Sequence, residues 1–499
     1  RWSTYQSYLD NKPIDRFVTE LVLMEGSQHQ GGPAGFSIAS QNDVPMAAKA
    51  HVLGTAFLGV EMKCARCHDA PNHDLSQQDL FSLAAMLKRG PQGIPGSSSI
   101  PATPEQLARM QVKVSLKPGE QVKPDWPFVE MLSQESSVES PEHSTLSGVP
   151  EVLIRNPDDS RERLAAQITS PHNNRFAKVI VNRLWQRYLG RGLIEPVDDW
   201  EDAECEHPEL LDWLARELVT HGYDLKHVAR LIFHSEAYQR TSLGPDAPDR
   251  ADRLVVGPVR RHLTGEQIAD SVYLAAGKDF GSEELTMDRD GRQALQNFLQ
   301  MRYPRRAWQF VAVANERDRI SLNLPVAQSV VDLMSSFGWR MQRQDPLTVR
   351  EEALTPLQPL ALAHGTASNR AVDLSDRSAL TQLALTEQPV DQLVEQLFLK
   401  LLTRPPTSDE REAFVALLAP GYDERIVAGP EAVPPRRLHR SGVTWTNHFD
   451  PKSDNELAAR QREVLQGDPP SARLDSDWRE RAEDAVWTLT NVPEFLFVP

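Results

Sequence analysis

Cysteine is scarce in this chain: three residues in 499, at positions 64, 67 and 205. So sparse a set excludes the disulfide framework of a small secreted scaffold. No stretch approaches the ~18 consecutive apolar residues that a membrane helix requires, so no span is expected. A net positive charge is also missing. The formal charge is −16 and the isoelectric point near 5.4. A nucleic-acid partner calls for a basic face, and none is expected here. The nucleophile elbow G-x-S-x-G, the zinc-protease motif H-E-x-x-H and the P-loop are absent, and no repeat of fixed period is found. The chain begins at Arg1 without a charged and then apolar leader. It is therefore expected to start partway into its first domain.

What is present names a cofactor. Two of the three cysteines stand in Cys64-Ala65-Arg66-Cys67-His68, the C-x-x-C-H attachment signature of a c-type haem. Two thiols three positions apart on one helical turn can reach the two vinyl groups of a porphyrin. The histidine that follows is carried to the ring face, where its imidazole can bind iron. Cys64 and Cys67 are thus the expected attachment sites of a covalent haem c, and His68 its proximal iron ligand. Met62, His73 and Met86 are the nearest candidates for a sixth ligand. Each has a plainer reading, the methionines as core and His73 as a loop residue. Leu58, Met62, Leu80, Leu83 and Leu87 are the apolar residues expected beside the ring.

Other chemistries fit the same five residues. A reversible dithiol would normally follow a strand in a βαβ unit, and no such pattern precedes residue 64. A structural zinc site needs four ligands, and the remaining cysteine, Cys205, is far away in sequence. A structural disulfide between Cys64 and Cys67 is the third alternative. Cys205 lies between acidic neighbours and is expected to be a free, unreactive thiol.

Periodicity points to a mainly α protein of multi-helix domains with a short β-containing linker. Helical spacing runs through residues 1–26, broken near Pro13, and again from about residue 44 into the cysteine motif. Ser76-Gln77-Gln78-Asp79 reads as a capping box ahead of a helix over 80–87. Residues 91–104 are rich in Gly, Pro and Ser and break the chain. Val112-Lys113-Val114-Ser115-Leu116 alternates with period two, as a strand would, and residues 152–154 form a second strand-like piece. From Ser160 the pattern stays helical: 161–168, 176–189, 208–220, 224–234, 264–276, 327–336, 390–402, 408–418 and 478–490, with 378–385 and 455–466 weaker. The expected divisions are a cysteine-bearing helical domain over 1–109, a linker with strands over 110–159 and a large helical domain over 160–499. Trp200, Trp213, Trp308 and Trp445 are expected in the core, and the segment 486–497 is expected to be packed because its aromatic and aliphatic residues would otherwise form an exposed patch.

Several stretches resemble a planctomycete family of exported proteins with paired domains of unknown function, often fused to a planctomycete cytochrome c domain. Phe57-Leu58-Gly59-Val60 leading into the cysteine motif, followed by Gln77 and Asp79, resembles the first domain. Val181-Asn182-Arg183-Leu184-Trp185-Gln186, Gly190-Arg191-Gly192-Leu193, His207-Pro208-Glu209-Leu210-Leu211-Asp212-Trp213-Leu214, Leu402-Thr403-Arg404-Pro405-Pro406-Thr407 and the ending from Val486 to Phe497 resemble its companion. The family often places a histidine two residues after that of the motif; here that position is Ala70. The resemblance implies an exported, haem-associated, helical protein in extracytoplasmic redox work near polysaccharide breakdown.

The function expected is thus a periplasmic or otherwise extracytoplasmic haem c protein that passes electrons to a redox partner protein or carrier. The alternative is an enzyme or scaffold of polysaccharide-degradation machinery, with the C-x-x-C-H pair as a disulfide or structural metal site. A glycosidase would need two carboxylates across a cleft. The acidic groups Asp158-Asp159 and Asp198-Asp199 with Glu201-Asp202 are read as hydrated loops instead.

Overall fold

The computed structural model describes residues 2–26, 32–38, 44–71, 74–98, 100, 103–132, 155–156, 158–242, 257–283, 285, 303–313, 324–339, 355–433 and 451–498. The chain is mainly α. Among the described residues its strands are two-residue pieces: Gln92–Gly93 pairs antiparallel with Gln121–Val122, and Arg261–His262 with Phe497–Val498. Contacts divide the chain into two compact units, one essentially residues 1–260 and the other 261–498. Helices on both sides of residue 159 share a single core in the first unit. The contacts thus do not divide where the composition changes.

In the first unit, helix Trp2–Leu9 stops short of Pro13, which precedes the next helix, Ile14–Leu23; the latter lies against Ser160–Thr169. Helix Pro45–Leu53 continues as a wider turn, Gly54–Leu58, and packs on helix Gln77–Lys88. The continuation stops at Gly59, whose φ of 64° suits glycine. A Cβ there would also lie 2.9 Å from the Trp200 ring. The helix expected to run into the cysteine motif therefore ends five residues before it. Ser76 and Asp79 form the expected capping box, each side chain accepting from the other's backbone N–H. Gly190 closes Phe176–Leu189 in a left-handed conformation. Pro208 opens Pro208–Thr220, and Asp224 caps Leu225–Phe233 through the amides of Lys226 and His227.

The expected strand at 112–116 does not form. The alternation is there as burial: Leu116 is buried, Val112 and Val114 half-buried, and Lys113 and Ser115 exposed. Its polar groups, however, are taken by side chains and loops. The Gln77 carboxamide oxygen accepts from Ser115 N and Leu116 N, both at 3.1 Å, and the Lys113 carbonyl accepts from Asp69 N at 2.7 Å. Among the described residues no neighbouring strand pairs with it. The piece at 152–154 lies outside the described residues. One helix missing from the sequence expectations, Pro104–Met110, carries its own capping box at Thr103 and Gln106.

The second unit builds a separate core on helices Gly265–Ala276, Pro325–Ser336, Val390–Leu402 and Ser476–Asn491. The chain end is packed, as its composition requires. Val486, Leu489 and Phe495 are buried, and Phe497–Val498 pairs with Arg261–His262. Of the four tryptophans expected in the core, Trp200 is buried, Trp308 half-buried and Trp213 exposed, while Trp445 lies outside the described residues.

Candidate cofactor-attachment site

Cys64–Arg66 is a single tight helical turn. The N–H groups of Cys67 and His68 both donate to the Cys64 carbonyl, at 3.1 and 3.3 Å, so the five motif residues form one hydrogen-bonded unit. Ala65, between the cysteines, is fully buried. It anchors the turn in the core, leaving Cys64 exposed and Cys67 half-buried. Both thiols are free. The Cys67 sulfur lies 3.9 Å from the Ser97 carbonyl.

His68 is half-buried, with Nδ1 at 2.7 Å from the backbone oxygen of Asp69. A carbonyl can only accept, so Nδ1 carries the proton. The lone pair of the neutral ring is then on Nε2, the atom that would face a metal.

Asp69 and Gln77 hold this turn to its surroundings. The Asp69 carboxylate accepts from Gln77 N at 2.9 Å and from Ser115 Oγ at 2.5 Å. Gln77 is fully buried, and beyond its two accepted bonds it donates to the Ser98 carbonyl at 3.1 Å. Helix Gln77–Lys88 packs against the motif turn from the same side.

Among the described residues, the two thiols and the imidazole do not gather within 4.8 Å of one another. Zinc would need that convergence. A haem would take the thiols and the imidazole at different atoms.

Leu58, Met62, Leu80, Leu83 and Leu87 all belong to the hydrophobic core, none more than 2% exposed. Met62 packs its sulfur against Gly54, where a Cβ would stand only 3.1 Å away. Met86 is 1% exposed. His73 lies outside the described residues.

Three of the acidic residues have structural partners. Asp198 is not in a hydrated loop but buried, in an ion pair of 2.7 Å with Arg183. Asp159 caps helix Ser160–Thr169 and pairs with Arg89 at 2.6 Å, which holds its carboxyl below the usual range against the opposing effect of burial. Glu201 accepts from the Asp74 amide. Cys205 is free and half-buried; burial first, then Asp212 and Glu206, push its thiol up. Burial is thus a larger cause than the acidic setting read from sequence.

Residues 160–418, just over half of the chain, match the PSD1 family, described as a protein of unknown function (DUF1553). The chain belongs to the PSD1 family. Residues 2–91 match a second family, PSCyt2, also a protein of unknown function (DUF1549), and the pairing is that of planctomycete cytochrome c-associated proteins. No curated protein and no solved structure matches the chain. The PSD1 match runs through both compact units, and its opening residues are bound to the PSCyt2 stretch. Ser160 Oγ donates to the Met86 carbonyl at 3.0 Å, and Arg161 Nε to that of Leu87 at 2.7 Å.

Proposed function

We propose that Cys64 and Cys67 hold a covalent haem c, that His68 is its proximal ligand, and that the protein transfers electrons outside the cytoplasm. The observation that carries the proposal is the tautomer of His68. With Nδ1–H held by the Asp69 carbonyl at 2.7 Å, Nε2 is left as the donor atom of a histidine that shares one hydrogen-bonded turn with two free thiols. Hydrogen bonding at the second ring nitrogen orients a metal-binding histidine and raises its basicity.

When bound, haem supplies a one-electron redox centre. The rest falls to the chain. Buried Ala65 fixes the turn, Cys64 and Cys67 would hold the ring through their thiols, and His68 would hold its iron. Met62 and Met86 are buried in the core, and together with His73 they stay the candidates for a second iron ligand. The net charge of −16 suits a basic redox partner or carrier. Covalent haem attachment in bacteria takes place outside the inner membrane, and this supports a periplasmic or otherwise extracytoplasmic site. A role in polysaccharide cleavage gains nothing from the acidic groups, since Asp159 and Asp198 are engaged in ion pairs.

Intact-mass spectrometry of the chain produced with a haem c maturation system tests the attachment. The proposal expects the mass of one haem added, on the peptide carrying residues 64 and 67. An unmodified peptide beside a correctly matured control cytochrome would overturn it.

A further inference from the structure

Glu217, His221 and His227 form the one cluster of three or more potential metal-ligating groups among the described residues, and it lies apart from the cysteine motif. The turn between helices Pro208–Thr220 and Leu225–Phe233 creates it. His221 ends the first helix, Gly222 and Tyr223 both adopt left-handed backbone at φ 65° and 59°, and the Asp224 cap starts the second helix at once. A four-residue connection therefore brings the last turn of one helix beside the first turn of the next. Glu217 and His221 are four apart on one face, and His227 faces them from the other helix.

The three side chains converge on one oxygen. Glu217 Oε2 lies 2.9 Å from His227 Nε2 and 3.3 Å from His221 Nδ1. The two imidazoles stack at 3.7 Å between centroids and 16° between planes. Bonds of about 2.1 Å to a tetrahedral ion would set its donors about 3.4 Å apart, close to both measured separations. His221 Nδ1 also lies 3.0 Å from the Glu217 carbonyl, and its side chain is 49% exposed. In the ion-free chain Nδ1 thus carries a proton toward that carbonyl; an ion at this position displaces it, and the exposed ring can adjust without disturbing the core.

We propose that Glu217, His221 and His227 bind a zinc-type divalent cation that clasps the two helices, with the fourth position open to water. Two imidazole nitrogens and one carboxylate suit zinc and its borderline neighbours rather than calcium or magnesium, which take oxygen ligands.

The test is a zinc titration of the full chain carrying Cys64→Ala and Cys67→Ala, so that the motif thiols do not compete. One equivalent should bind and raise the melting temperature. Adding His221→Asn and His227→Gln should weaken binding at least tenfold and remove the thermal shift, with the circular dichroism of the metal-free chain unchanged. His221→Asn alone, at a half-exposed position, serves if the double change impairs folding. Failure of the parent to bind zinc, or equal affinity in the histidine variants, would overturn the proposal.

Discussion

Asp69 and Gln77 are joined by a 2.9 Å bond from the Gln77 amide to the Asp69 carboxylate, and with it the residue after the C-x-x-C-H motif is fastened to the first turn of the next helix. Gln77 then uses its side chain to hold the segment at Ser115 and Leu116 and the carbonyl of Ser98. Replacing that buried carboxamide leaves two amides and a carbonyl without their partner. Gln77→Ala is expected to cost about 2–4 kcal/mol, on the scale of several unsatisfied buried groups. Urea denaturation measures it, and a loss below about 0.5 kcal/mol would contradict the role.

Asp15 carries a cost that the sequence conceals. It is buried, its Oδ1 has no hydrogen-bond partner, and burial pushes its carboxyl up from 3.8 to about 6. Between those values the folded chain keeps a proton that the unfolded chain releases. Stability attributable to Asp15 therefore falls as pH rises through this window, and the penalty is full above it. Asp15→Asn should raise stability at pH 7–8 by about 1–3 kcal/mol. Melting curves should show the gain fading toward pH 4; a gain that persists undiminished there would refute the assignment to ionisation.

Arg404 binds two carboxylates at once, Glu410 at 2.7 and 2.8 Å and Glu494 at 2.7 and 2.8 Å. It thereby ties the 402–407 stretch to the chain end, and it holds the Glu410 carboxyl down to about 2. All three side chains are about one-third exposed or more, so solvent screens much of the attraction. Arg404→Ala is expected to lower stability by about 1–2 kcal/mol. Removal of the last twelve residues should do far more, because Leu489 and Phe495 leave the core. An unchanged melting temperature in the truncated chain would contradict the packed end.

Helices were legible where their ends are written in side chains: Ser76 with Asp79, Gly190, Pro208 and Asp224 each act within one turn of themselves. Thr103-Pro104-Glu105-Gln106 carries the same kind of signal, and it was obscured by the surrounding Gly, Pro and Ser. The 112–116 segment could not be placed, because alternation fixes which side chains face inward but not which groups take the backbone bonds. Asp198 reads as an exposed acid until Arg183 is brought to it by the fold. In the motif, spacing alone named Cys64, Cys67 and His68. The proton position on His68 depends on a carbonyl's direction and needed three dimensions, as did the meeting of Glu217, His221 and His227 across a helical turn.

Cys205 offers a control for cofactor attachment. Its thiol is free, half-buried and pushed up by burial. Cys205→Ser should leave the amount of covalent haem unchanged in the maturation system, as read by haem staining after denaturing electrophoresis. Loss of the stain would place Cys205 in the site.

The central claim is that Cys64, Cys67 and His68 form a haem c site, and the pyridine haemochrome spectrum of the denatured protein tests it most directly. Made with a haem c maturation system, the chain should show one haem per molecule with the spectrum of a ring joined by two thioether bonds. Cys64→Ala with Cys67→Ala should abolish that covalent signal, and His68→Ala should keep attachment possible while altering the Soret band of the native protein. A chain that carries no haem where a control cytochrome is fully matured, or a double-cysteine variant that retains its haem through denaturation, would contradict the account.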